Sequence, residues 1–144
     1  MRVGGSVKHM HTPLDLLAHL KKGIDRSEEI IDLSKIILNE VRAHGTSGKI
    51  DLLFRKVLRL YNDLYNVGNV FSTKMFDQVD EYTKDYIITY INYLTLVSIP
   101  YEIDLLNEIS SKINKDDIDD VKRISKAIAL MNELRTVFEK IENY

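Results

Sequence analysis

The amino-acid sequence predicts an all-α protein, a single-domain antiparallel bundle of about five to six helices. Two observations predict it. Apolar residues recur at steps of three and four along most of the chain, the period that lines one face of an α-helix. The gaps between these stretches are short, hold no linker rich in Pro, Gly or Ser, and reveal no internal repeat. Short connections between long amphipathic helices give antiparallel neighbours.

Composition agrees with one folded unit. The chain has 144 residues, inside the ~100–150 range where single domains cluster. It is 44% hydrophobic and 29% charged, ordinary globular values that exclude a wholly disordered chain. Twenty Lys and Arg against 22 Asp and Glu leave a net charge of -2, which argues against a nucleic-acid condenser but allows a local basic face. With no cysteine there is no disulfide scaffold and no thiol chemistry, which suits a reducing cytoplasm. No apolar run approaches the ~18–20 residues of a membrane span, so the expectation is a cytoplasmic protein without a membrane role.

The elements follow in order. Residues 1–11 carry Gly4, Gly5 and Ser6 but no apolar period, and read as a flexible leader; the bundle is expected over 12–144. Thr12-Pro13-Leu14-Asp15 is a helix start, with a hydroxyl to cap, a proline suited to the first turn and an acid for the dipole. Leu14, Leu17, Ala18 and Leu20 then form a short helix that Gly23 ends. A second helix runs from Ser27 to His44 on Ile30, Ile31, Leu33, Ile36, Ile37 and Val41, closing before Gly45. Thr46-Ser47 restarts the chain, and Ile50, Leu53, Phe54, Val57, Leu58, Tyr61, Leu64 and Tyr65 extend the period until Gly68 breaks it. Ser72 caps a fourth helix whose inward face holds Met75, Phe76, Val79, Tyr82, Tyr86, Ile87, Tyr90, Ile91, Leu94 and Val97. Residues 87–99 are β-branched and aromatic enough to suggest strand, yet the tyrosines recur at three and four rather than at two. Pro100 resets the chain for a helix on Ile103, Leu106, Ile109 and Ile113. After Asp116-Asp117 the last helix runs through Ile118, Val121, Ile124, Ile128, Met131, Leu134, Val137, Phe138 and Ile141.

No catalytic constellation emerges, and neither a cofactor nor a metal is expected. His9 and His11 form a lone His-x-His in the leader, short of the three or four ligands of a metal site. His19 follows Asp15 by one turn and His44 follows Glu40 by one turn; a last-turn histidine is also an ordinary C-terminal cation. The Arg-to-His spacing of HEPN-type helical ribonucleases is approached only by Arg2 and His9, outside any helix. There is no phosphate loop, dinucleotide fingerprint or nucleophile elbow.

Two features suggest binding instead. Lys49, Arg55, Lys56 and Arg59 cluster on the third helix and Lys122, Arg123 and Lys126 on the last, so that paired helices would offer cations to phosphates. The same residues alternate with Asp51, Asp63, Asp119 and Asp120, the pattern of a solvated, salt-bridged face. Eight tyrosines are present, and Tyr82, Tyr86, Tyr90 and Tyr93 form a stripe suited to packing or a protein interface more than to base stacking.

Three stretches resemble the small helical subunit of type III-A CRISPR ribonucleoprotein complexes. Ile30-Ile31-Asp32-Leu33-Ser34-Lys35-Ile36-Ile37 is similar to that family's first main helix. Thr46-Ser47-Gly48-Lys49-Ile50-Asp51-Leu52-Leu53 resembles its Thr/Ser-Ser-Lys/Gln-Leu/Ile-Arg start, with Gly48 inserted and Asp51 where the family has arginine. Lys126-Ala127-Ile128-Ala129-Leu130-Met131 resembles its Glu-Ala-Ile-Val-Ala-Tyr segment, with Lys126 for the acid and Met131 for the tyrosine. The resemblance implies a non-catalytic subunit of an antiviral defence complex, stacked in several copies beside other subunits and touching guide and target RNA through phosphates. The seven basic residues are the expected RNA contacts. The alternative is a helical homo-oligomeric adaptor that binds another protein through the tyrosine stripe and has no RNA role.

Overall fold

The computed structural model describes residues 13–71 and 79–142. Five α-helices account for most of them: α1 (Pro13–His44), α2 (Ile50–Phe71), α3 (Glu81–Tyr93), α4 (Ile99–Lys112) and α5 (Ile118–Glu142). A π-helical turn, Leu94–Ser98, joins α3 to α4 without a break, so the bundle is built from four rods rather than five or six separate helices. No strand occurs among the described residues, and residues 87–99 are helical. The rods form a closed ring: α1 packs on α2 and on the α3–α4 rod, and α5 packs on α2 and on α4.

The core explains why three expected breaks are absent. Gly23 lies inside α1 and is buried; a Cβ there would collide with Leu64 of α2. Gly68 lies inside α2, where a Cβ would collide with Val137 of α5. Both glycines let two rods approach closely and end no helix, so the first two expected helices are one. Pro100 does not reset the chain either. The Ile99 amide reaches back five residues to the Leu94 carbonyl, and this wider turn accommodates a proline that has no N–H of its own.

Chain ends that do stop have identifiable devices. Gly45, at φ 76°, terminates α1 in the left-handed conformation that glycine adopts without strain, its amide donating to the Val41 carbonyl at 2.8 Å. Its own carbonyl accepts the Asn114 amide at 2.8 Å, which ties the α1–α2 loop to the α4–α5 loop at the same end of the bundle. Asp80 occupies the cap position of α3 in extended backbone, without a capping hydrogen bond from its side chain. The expected cap Ser72, with Met75 and Phe76, lies outside the described residues, as do the leader and His9 and His11.

Leu16, Leu20, Ile30, Ile37, Leu53, Leu60, Leu64, Leu94, Leu106, Leu134 and Phe138 are among the fully buried side chains. Several expected inward residues face out instead: Ile36, Tyr82, Tyr86, Val97 and Ile118 are exposed. For the tyrosines and Val97 the cause is phase. In α3 the buried stripe is Ile87 and Ile91, continued by Leu94 in the π turn, and Tyr82 and Tyr86 fall on the opposite side.

The glycine packing has a measurable consequence. Gly68→Ala should lower stability by about 1–3 kcal/mol, the usual penalty for overpacking a filled core, whereas Gly48→Ala, with nothing within 4 Å of the added carbon, should be close to neutral. Urea unfolding of the two variants beside the parent chain checks this.

Candidate functional site

The expected basic cluster does fall on neighbouring helices, since α2 and α5 pack together. Its cations, however, are interleaved with carboxylates. Asp51, in the first turn of α2, lies 3.2 Å from Arg55 and 3.5 Å from Arg123, and Arg123 also meets Asp120 at 2.8 Å. Lys49 donates to Glu40 of α1 at 2.6 Å, and the Ser47 hydroxyl donates to the same carboxylate at 2.6 Å. These hydrogen bonds, that of Lys49 foremost, hold the Glu40 carboxyl below its ordinary range. Lys56 points to the other side of α2, 3.9 Å from Glu29 of α1. The Lys126 ammonium lies 5.9 Å from the centroid of the Phe54 ring. Among the described residues, Arg59 and Lys122 have no carboxylate within 4.0 Å.

Five of the seven cations therefore divide between two seams. Arg55, Arg123 and Lys126 border the α2–α5 seam. Arg59 and Lys56 join Arg26 around a cleft of about 150 Å³ against α1 that also includes Glu29. Arg26, which the sequence reading did not single out, pairs with Asp63 across the same helices. Because exposed pairs of this kind contribute only ~0–1 kcal/mol each, they do little for stability; their effect is to flatten the positive potential.

The tyrosine stripe divides as well. Tyr90 packs partly into the core, while Tyr82, Tyr86 and Tyr93 face solvent. Tyr82 and Tyr86 meet edge to face with centroids 5.1 Å apart and hydroxyls 3.2 Å apart. Their shared hydrogen bond raises the Tyr82 phenol above its ordinary value. Further along the rod Leu96, Val97 and Tyr101 are exposed too, Tyr82 at 71% and Leu96 at 65% being the most open. The π turn keeps this ridge continuous. In an unbroken α-helix eight residues would carry Tyr101 about 80° round from Tyr93; the π turn absorbs roughly one residue of that rotation. Tyr93 and Tyr101 consequently line one cavity, with Glu28, Ile31 and Asp32 of α1 opposite.

Beneath the ridge sits a carboxyl that the sequence reading missed. Glu102 of α4 is 0% exposed, accepts a 2.8 Å hydrogen bond from the Ser34 hydroxyl of α1, and leaves Oε1 without a partner. Burial pushes its carboxyl up to about 8, against the smaller opposing effect of Ser34. One signal was present in the sequence: Glu102 occupies an apolar slot, three after Ile99 and four before Leu106. On the opposite side of the bundle, burial and a hydrogen bond with Glu133 raise the Tyr61 phenol to about 12. Glu40, one turn before His44, is committed to Lys49 and Ser47 at the end of α1. Among the described residues no group of three or more His, Asp or Glu is placed to hold a metal, and no helix is long and apolar enough to cross a membrane.

Glu102 makes stability depend on pH. Its folded value of about 8 lies above the ordinary 4.5, so between these pH values the folded chain keeps a proton that the unfolded chain has released. Stability is therefore greatest below pH 4.5 as far as this group is concerned, and falls as pH rises toward 8. Glu102→Gln should remove that slope, leaving the variant more stable than the parent at pH 8 by an amount on the order of 4 kcal/mol. Thermal unfolding of both chains across the range checks the sign.

Set beside known proteins, the chain matches no family model, no curated protein and no solved structure.

Proposed function

We propose that this protein is a non-catalytic helical interaction module that docks a partner protein on the outer ridge of the α3–α4 rod. One observation carries the reading: Tyr82, Tyr86, Tyr93, Leu96, Val97 and Tyr101 stand exposed along a single rod. Isolated apolar residues on a surface are unremarkable, but a contiguous set rimmed by charge marks an interaction site. Tyrosine supplies contact area at little conformational cost and is enriched where proteins meet. The rim is acidic on the α1 side, at Glu28 and Asp32, which favours a partner with basic groups beside its apolar contact. Among the described residues the one strongly raised carboxyl, Glu102, is sealed from any substrate.

A photo-crosslinking residue at Tyr82 or Leu96, introduced into the full chain in its own cells, tests this. The expected result is one discrete protein adduct at both positions that is absent with the same probe at Lys115 on the far loop. Adducts only to other copies of the chain, or none at either position, would overturn the reading.

A second reading, an RNA-contacting small subunit of a type III-A CRISPR complex, is supported by the Lys49 segment and by the unpaired Arg59 and Lys122. Asp51, which takes the place of the family's arginine, here restrains Arg55 and Arg123. For a phosphate binder, Asp51→Asn should tighten single-stranded RNA binding and add to its salt dependence, at ~0.7 in log–log slope per released contact. Binding unchanged by this substitution, and by charge reversal at Arg59 with Lys122, counts against any RNA role of these helices.

A further inference from the structure

We infer that the cleft between α1 and the π turn is a recognition pocket for an organic cation, the ammonium or guanidinium head of a lysine or arginine on the docked partner. This rests on the docking ridge proposed above and assigns its chemistry.

The pocket encloses about 330 Å³, the low end for ligand sites and room for one long side chain. Three kinds of wall meet there. Glu28 and Asp32, one helical turn apart on α1, supply negative charge, and among the described residues neither has a cation within 4.0 Å. Tyr93 and Tyr101 supply ring surfaces, whose negative faces attract cations. Ile31 and Val97 supply apolar surface for an alkyl stem, the part of a basic side chain that prefers to leave water. Ser98 also belongs to the wall, and its buried hydroxyl has no hydrogen-bond partner, so an N–H donor reaching it would find an unused acceptor.

The chain displays the same attraction internally. Lys35, one turn beyond Ile31, does not turn back to Asp32 but holds its ammonium 5.4 Å from the centroid of the Tyr101 ring. An outside cation would share this environment, and Lys35 would compete with it. Anionic ligands are disfavoured by the two unpaired carboxylates, which separates this pocket from the basic cleft at Arg26, Lys56 and Arg59.

The test is NMR of the full chain with labelled tyrosine rings, titrated with N-acetyl-arginine methylamide and N-acetyl-lysine methylamide. Their uncharged counterparts, built on citrulline and norleucine, serve as controls. The Tyr93 and Tyr101 signals should move with the charged probes, with binding at least tenfold weaker for the controls. Glu28→Gln with Asp32→Asn, and separately Tyr93→Leu, should each weaken binding roughly three- to thirtyfold, while Lys35→Met should strengthen it. Equal binding of citrulline and arginine, or no movement of either ring, would overturn the inference. If the rings stay silent while the Tyr82 and Leu96 crosslinks persist, the pocket falls and the ridge stands. Ring shifts without crosslinks would leave a cation pocket and remove the partner protein.

Discussion

The π turn at Leu94–Ser98 is the constraint from which the outer and inner faces of this bundle both follow. An α-helix must keep one face inward along its whole length, and the apolar stripe of the α3–α4 rod shifts midway. Before the turn the buried positions are Ile87 and Ile91, within it Leu94, Thr95 and Ser98, and after it Ile99, Glu102, Ile103, Leu105, Leu106 and Ile109. The extra residue in the π turn lets both stripes meet the same core. It also keeps Tyr93 and Tyr101 on one outer face and admits Pro100 without breaking the rod. Such turns are rare in helices and concentrate at functional places, and here the turn forms one wall of the candidate pocket.

The helical class was legible because burial and periodicity agree along α2 and α5: Leu53, Val57, Leu60 and Leu64, or Ile124, Ala127, Met131 and Leu134, repeat at three and four. What was not legible was continuity. Locally, Gly23 and Gly68 read as helix ends, and only the presence of Leu64 and Val137 across the interface explains why a residue without a side chain belongs mid-helix. Gly45 reads as an end and is one, because its φ of 76° fits nothing else well. The tyrosine stripe was legible as a stripe, but its direction depends on the phase of the buried residues beside it. Glu102 was legible only as an acid in an apolar slot, and its role was not, because its partner Ser34 lies 68 residues away.

Clusters of cations in a sequence report charge, not potential. Asp51 sits between Arg55 and Arg123, and Glu40 holds Lys49, so that much of the basic signal is answered by acids placed within reach. The reverse holds on the other side of the molecule. Glu28 and Asp32 look like ordinary solvated residues of an amphipathic helix, yet among the described residues they have no counterion and stand beside two aromatic rings. Unanswered charge next to apolar surface distinguishes the two regions, and that property emerges only once the helices are assembled.

The single hydrogen bond from Asn114 to Gly45 joins the two tight loops of the bundle. It fastens the α1–α2 hairpin to the α4–α5 hairpin at one end, like the rivet of a pair of tongs. Arg42 of α1 and Glu108 of α4, 2.6 Å apart, reinforce the same end, while the ridge begins at Tyr82 on a rod held there through its last turn.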